Sequence, residues 1–458
     1  MGLFLLALGL RTVRLGTWSF WADEVFTVRD ALRFPHELTI NPLPYALVAL
    51  ALQAFGVTEW SARVFPMLAG VGSVLAVYWI GARERGAWAG RFAGLFTALL
   101  PWHLFWSQNA RHYSFVFLFA VLSAWAFHRA LEQESLRAAL FALLFLGIMI
   151  LSHFLAGALL VGLGLYLLLG WRGGWLPRRW APPSLVIVGP FLAGGLIVLG
   201  IPAVRAYLFS GWGRTVWARS PLYVLATFAA GATLPILTTA SFGLLCWRGI
   251  PSTTSDRWLR LLSCLVVGPL AFFLLASLVQ NVAGYYLFAL TPFVLLLAGE
   301  GCAWAFRQPG RSPLRWLPVL LVVAGLLHGL VDYFFLEHGG RPRWKEALRE
   351  LQPHLNGEDF IWMTLPDVGR YYLAHPPERI LKITHADLAA PERLLGAPAG
   401  DSSGAVYVVV DANNFDTVDP SRRVRAWIDR HGERIVFVFG YARGANRSIE
   451  VYRLRKSP

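Results

Sequence analysis

Residues 64–127 read VFPMLAGVGSVLAVYWIGARERGAWAGRFAGLFTALLPWHLFWSQNARHYSFVFLFAVLSAWAF. Three apolar runs, near 64–82, 92–106 and 114–128, are parted first by a basic connection with Arg83, Arg85 and Arg91, then by a polar turn. Each run approaches the roughly 20 residues that a helix needs to cross a hydrocarbon core. The basic connection marks one face of the membrane and the polar turn the other.

The same alternation runs outward from this stretch in both directions. Further apolar runs lie near 2–16, 138–151, 153–170, 184–201, 223–247, 259–279, 285–304 and 315–336, which gives roughly eleven spans. With 56% hydrophobic and 15% charged residues, the chain reads as an α-helical polytopic membrane protein. Every second connection is basic: Arg83, Arg85 and Arg91; Arg129 and Arg137; Arg172, Arg178 and Arg179; Arg248, Arg257 and Arg260; Arg307, Arg311 and Arg315. These connections are expected in the cytoplasm, so the formal charge of +14 is mostly an orientation signal and not a nucleic-acid patch. The alternate loops and the tail then face outward. Residues 2–16 are expected to be a retained first span, since Arg11 and Arg14 follow the apolar run where a signal peptide would carry a cleavage site. Cys246, Cys264 and Cys302 have no paired spacing and read as small core residues.

Past about residue 336 the hydropathy falls and soluble patterning begins. Domains are expected at 1–336, spanning the membrane, and at 337–458, a small extracytoplasmic α/β domain. In the latter, WKEALRELQPHL reads as an amphipathic helix, and DFIWM, AVYVVVDA and RIVFVFG read as strands. No nucleotide-binding glycine motif is present. The loop between the first two spans is long and acidic, with Asp23, Glu24, Asp30, Glu37 and Glu59, and its NPLPYALVALALQAFG is too short to span and is expected to lie in the interface.

The adjacent carboxylates Asp23 and Glu24 at an outer membrane surface admit three readings. They can cap a helix or end a solvated loop, serve a transporter as an ion or proton site, or act as a general base. More polar residues fall on the outward side. WHLFWSQNARHYS crowds Gln108, Asn109, Arg111, His112 and Tyr113 into one turn. Arg111 could grip a phosphate or snorkel to the interface. His153 interrupts an apolar stretch at an outward turn, as a structural histidine or a functional one. Tyr285 and Tyr286 open a span, where an aromatic belt would also put them.

FWADEVFTV, the 59–127 segment, ILSHFLAGALL and YYLFALTPFVLLLAGEG resemble, in order and spacing, the bacterial protein O-mannosyltransferase superfamily, whose PMT and ArnT-like members have a GT-C glycosyltransferase fold. The resemblance implies transfer of a sugar from a polyprenyl-phosphate donor to an acceptor hydroxyl on a protein, lipid or glycan, outside the cytoplasmic membrane. It implies catalytic roles for Asp23 and Glu24, a donor-phosphate role for Arg111 with His153 and Tyr286, and a substrate pocket including Trp21, Gln108, His112, Tyr113 and Tyr285. The chain departs from the pattern at Asn109, where relatives often carry an acid, at the Asn41–Pro44 NPLP, where they carry His-Pro-Pro, and at Gly284, where an arginine is common. No metal or other cofactor is expected; Asp23, Glu24, His112 and His153 could collect an ion only if the fold gathers them. The alternative is a transporter or lipid-linked sugar flippase, which calls for ionisable groups at mid-bilayer and paired broken segments.

Overall fold

Prolines and helix caps set where the apolar runs become helices in the computed structural model, which describes residues 1–35, 41–176, 181–202, 218–232, 235–250, 256–307, 313–395, 404–442 and 444–455. Two compact units emerge: one of residues 1–13, 34–51 and 63–330, the other of 14–33, 52–62 and 331–458. Residues 14–33 and 52–62 of the acidic loop thus belong with the tail, and 34–51 with the spans.

Six helices among the described residues are long and apolar enough to cross a membrane: Glu59–Arg85, Tyr113–Gln133, Phe154–Arg172, Arg257–Ala276, Gly284–Phe306 and Pro313–Leu336, of which the first four residues of the first and the last six of the last are counted with the second unit. The expected count of eleven is not reached among the described residues, for reasons that can be located. The run at 2–16 yields only Gly2–Thr12, an 11-residue helix of about 16 Å. The run at 92–106 breaks before Pro101 into Ala87–Leu99 and Pro101–Ser107, because proline supplies no N–H to continue the first helix. The run at 138–151 becomes Leu136–Ser152, a 17-residue helix of about 26 Å, shorter than the hydrocarbon core is thick. The run at 223–247 bends by 101° between Pro221–Gly231 and Ile236–Gly249, so it counts as at most one broken span. NPLPYALVALALQAF forms a 14-residue helix, Pro42–Phe55, too short to span, as its composition requires.

The basic connections meet at one end of the first unit. Arg85 pairs with Glu300 at 2.7 Å and with Asp256, which caps the Arg257–Ala276 helix through the Leu259 N–H at 3.0 Å. Arg307 donates to the same Glu300 at 2.7 Å. Arg257 pairs with Glu132 at 3.2 Å, and Arg260 lies over the Trp175 ring at 4.6 Å. Five connections therefore share one end of the bundle, with a buried carboxylate tying two of them together. Arg178, Arg179 and Arg311 lie outside the described residues.

The second unit is built on a five-stranded sheet in the order β2-β1-β3-β7-β4. Strands β1 (Phe360–Met363), β2 (Ile380–Lys382) and β3 (Val406–Asp411) are parallel, with Ile361 opposite both Ile380 and Tyr407. The antiparallel β7 (Ile449–Leu454) sets Tyr452 against Val408, and β4 (Gly432–Val438) closes the far edge with Val438 against Ile449. A short hairpin, β5 (Tyr441–Ala442) and β6 (Ala445–Asn446), lies between. The three expected strands and the helix Trp344–Leu351 are present. Every residue of β1 and β3 is buried, the mark of strands covered on both faces. One face packs Val408, Val410 and Tyr452 against Val424 and Ile428 of the helix Arg423–His431.

On that face Glu450 accepts hydrogen bonds from Arg425 at 2.8 Å, Arg434 at 2.9 Å and Tyr452 at 2.8 Å. Burial would raise the Glu450 carboxyl, but these three donors outweigh it and hold it below its ordinary range. A depressed carboxyl stabilises the fold above its unfolded value and stops doing so as the pH falls through its folded one. Glu450→Gln should therefore lower the Tm of the full chain at pH 7, and the gap from wild type should close as the pH drops below about 4. A gap that is the same at pH 7 and pH 3.5 would contradict this.

Candidate functional site

At the end of the first unit opposite the basic connections, three turns converge. The Tyr113–Gln133 helix carries Glu132 near the basic end, so its 21 residues place Tyr113 about 30 Å away. Around Tyr113 stand His112 (ring centroids 4.2 Å apart), Trp106 (3.9 Å), His153 (5.8 Å) and Tyr285 (5.9 Å). His112 lies on His153 at 4.2 Å, and His153 on Tyr286 at 5.8 Å. The turn at 108–113, the outward turn at 153 and the start of the Gly284–Leu290 3₁₀ segment thus meet, bringing His112, Tyr113, His153, Tyr285 and Tyr286 into one cluster. Asn41 of the NPLP stretch joins it, its Oδ1 accepting the Phe154 N–H at 3.4 Å.

The electrostatics are one-sided. Burial, then His153 and Arg111, push His112 well below its ordinary value; burial and Arg111 push His153 down to about 3. Both imidazoles are neutral at physiological pH, so the formal charge of this cluster is the Arg111 guanidinium. Asn109 is fully buried, and among the described residues neither its amide nitrogen nor its oxygen has a hydrogen-bond partner; the same holds for Nε2 of His112. Buried polar atoms are nearly always satisfied, so these atoms retain the capacity to bond a water or a ligand.

Gln108 is placed otherwise. It is fully buried, and its Nε2 donates to the carbonyls of Leu10 (3.2 Å), Arg11 (3.1 Å) and Val13 (2.8 Å), closing the C-terminus of the first helix. Arg11 braces the same region from Thr97 O (3.2 Å), His103 Nδ1 (2.7 Å) and Ser107 Oγ (3.3 Å). The Gly284 departure has a steric cause. A Cβ there would stand 2.2 Å from Phe228 N and 2.4 Å from Val224 O, while its own N–H donates to Thr227 Oγ1 at 2.8 Å. The Pro221–Ala232 helix occupies the space that an arginine would need.

In the second unit, Trp21 caps the helix Ala22–Leu32, with Asp23 and Glu24 in its first turn. The two carboxylates part company because neighbouring helical residues point about 100° apart. Glu24 is fully buried; its Oε2 accepts the Arg341 Nε–H at 3.3 Å and, at 3.5 Å, the Trp21 N–H that a glutamate at this position caps. Arg341 is equally buried, donates to Gly339 O at 2.7 Å and lies over the Trp18 ring at 5.7 Å. Gly339 sits at φ +66°, where any Cβ would strike the Trp18 ring at 2.4 Å. Asp23 is only partly buried, its carbonyl accepting the Thr27 hydroxyl at 2.9 Å. Upstream, the Phe20 N–H donates to Tyr372 Oη at 2.6 Å, and that hydroxyl donates to Glu59 at 3.1 Å, which also takes Lys345 Nζ at 3.0 Å. Sequence reasoning missed Arg341, Lys345 and Tyr372, since nothing in the tail advertises that its side chains close on the acidic loop. Among the described residues no three His, Cys, Asp or Glu side chains gather as a metal site.

Known proteins share this architecture. The family profile described as dolichyl-phosphate-mannose-protein mannosyltransferase matches residues 40–199. No curated protein sequence matches the chain. The crystal structure of ArnT from Cupriavidus metallidurans bound to undecaprenyl phosphate superposes with a TM-score of 0.58 at 16% identity, covering 99% of this chain and 97% of that one. The oligosaccharyltransferase of Archaeoglobus fulgidus tethered to an acceptor peptide gives 0.58 at 11% identity, covering 98% of this chain and 73% of that one. The same organism's AglB with an inhibitory peptide and a dolichol-phosphate gives 0.54 at 12%, covering 98% and 74%. The chain is a multi-pass membrane protein with the GT-C fold, similar to the PMT and ArnT glycosyltransferases.

The fit at Gly284 is open to a direct check. Gly284→Ala should lower the Tm of the detergent-solubilised protein by several degrees, the usual result of forcing about 1–3 kcal/mol of overpacking into a close helix contact. An unchanged Tm would mean that the two segments have room between them.

Proposed function

We propose that this chain is an inverting glycosyltransferase that moves a sugar from a polyprenyl-phosphate-linked donor to an acceptor hydroxyl at the outer face of the cytoplasmic membrane. The observation that carries the reading is the turn at 108–113, where unsatisfied buried polar atoms of Asn109 and His112 stand in the field of Arg111 at the ends of membrane spans. An anionic headgroup is the ligand such a turn suits, since one cation and neutral hydrogen-bond donors satisfy phosphate oxygens. The fold and the family profile favour the same chemistry, and solved neighbours were captured with undecaprenyl phosphate and with dolichol-phosphate.

Residue roles follow from the chemistry. Arg111 takes the donor phosphate, with His112 and His153 as neutral donors and Tyr113, Tyr285 and Tyr286 as aromatic walls. Asp23 is the general base. It takes the proton of the acceptor hydroxyl as that oxygen attacks the anomeric carbon, and the bond from that carbon to the phosphate oxygen breaks. The electron pair leaves with the polyprenyl phosphate, whose growing charge Arg111 stabilises. One displacement inverts the anomeric centre. Glu24, buried against Arg341, is assigned to positioning the first turn of the helix that carries Asp23. The basic connections face the cytoplasm by the positive-inside rule, and the polar turns and the tail face outward.

Purified protein incubated with a panel of polyprenyl-phosphate sugars and hydroxyl acceptors should release polyprenyl phosphate in a sugar-dependent way. Release with none of them, from protein that binds a polyprenyl phosphate, would sink the reading. Asp23→Asn should cut turnover by roughly 100-fold or more, the usual range for a lost general base, with donor binding nearly unchanged. Arg111→Ala should weaken donor binding, and Arg111→Lys should restore part of it, because a point charge does not replace a bidentate fork. Wild-type donor affinity in both arginine variants would remove Arg111 from the site.

A further inference from the structure

From the end of β4 into β5, the soluble unit exposes an aromatic stripe that neither its core nor the proposed chemistry uses. Phe437, Phe439 and Tyr441 are 50%, 63% and 48% exposed, while Val436, Val438 and Ala442 between and beside them are at most 6% exposed. Alternate residues of an extended segment point to opposite sides, so the three rings share one side and the buried residues hold the other. Three neighbouring large rings this exposed, Phe437 with the Arg434 guanidinium over its ring at 5.1 Å, are unusual for a soluble surface and mark a contact with something apolar.

The position of the stripe says what that is. Tyr441 belongs to β5, which packs against the turn His338–Gly340. His338 stands two residues beyond Leu336, the last residue of the span Pro313–Leu336, no more than about 7 Å of extended chain away. Phe335 and Leu336 at that span's end are themselves 74% and 66% exposed. The headgroup layer is about 5–8 Å deep on each side of the hydrocarbon core, and phenylalanine and tyrosine are at home at its inner boundary. A strand added by a partner fits less well. The Gly440 carbonyl at the middle of the stripe already accepts the Arg447 N–H at 2.9 Å, and its N–H donates to Ser448 Oγ at 3.2 Å, so the backbone there is not free to pair with an added strand.

We infer that Phe437, Phe439 and Tyr441 insert into the headgroup boundary of the leaflet that the last span enters, anchoring the soluble unit to the lipid surface beside its own tether. The occupant is the bilayer itself, and the inference stands independently of which reaction the protein catalyses. Its test uses the full chain in lipid nanodiscs, with Cys246, Cys264 and Cys302 replaced and a nitroxide placed singly at 437, 439 and 441, and at the exposed Glu358 as a control. Collision with oxygen, which concentrates in lipid, is compared with collision with a water-soluble nickel chelate. Oxygen should dominate at the three stripe positions and the chelate at 358. Chelate-dominated collisions at all three would show the stripe in water, and protection from both reagents would show it covered by protein, a partner or a second copy; either result overturns the inference.

Discussion

A carboxylate and a guanidinium that are both wholly out of water tie the acidic loop to the tail: Glu24 and Arg341, 317 residues apart in sequence and 3.3 Å apart in space. Desolvating two charges is costly, and an apolar pair of similar size would often hold a fold together as well. What an ion pair adds is direction. The guanidinium meets the carboxylate, the Gly339 carbonyl and the face of Trp18 at once, which fixes the roll of the Ala22–Leu32 helix about its axis. With Glu24 turned inward, the neighbouring Asp23 is left partly exposed. Tyr372, held on Glu59 beside Lys345, takes the Phe20 N–H, and the Lys345 N–H donates to the Ser19 hydroxyl, so the stretch before the helix is fixed as well. Residues 14–33 and 52–62 form one compact unit with the tail.

The membrane-spanning unit separates its chemistry along the spans. One end collects paired charges, Arg85 and Arg307 on Glu300, Arg257 on Glu132, which neutralise one another and staple helix ends. The other end collects aromatic rings, neutral imidazoles and a buried amide without a partner among the described residues, with Arg111 as the charge that polarises them. The first end is closed on itself electrostatically, and the second is poised for an anion. This asymmetry favours a lipid-phosphate substrate over a transported ion, since the polar groups stand at the ends of spans.

Hydropathy made the membrane class legible, and the arginine rhythm made legible which connections would share an end. The strands at 360–363, 406–411 and 432–438 were readable because they are short apolar runs in a polar tail. Where the apolar runs break was not, because hydropathy does not register a proline break such as the one at Pro101 or a bend such as the one between Pro221–Gly231 and Ile236–Gly249. The convergence of His112, Tyr113, His153, Tyr285 and Tyr286 could be expected from a resemblance but not from periodicity, since three separate turns contribute. Gln108 was placed in the pocket by the resemblance; that its amide closes a helix end is something only the fold says. Arg341 was invisible, one basic residue among several in RPRWKEALRE, until packing put it on Glu24.

The most direct test of this account removes the buried pair without leaving a buried charge behind. The double variant Glu24→Gln with Arg341→Met, in the full chain, should fold with a Tm near that of wild type and bind a polyprenyl phosphate normally, yet turn over at least about 10-fold more slowly, because the helix that carries Asp23 has lost its fixed roll. Wild-type turnover in a folded double variant would show that the pair stabilises the loop without aiming the base, and would contradict the account at its centre.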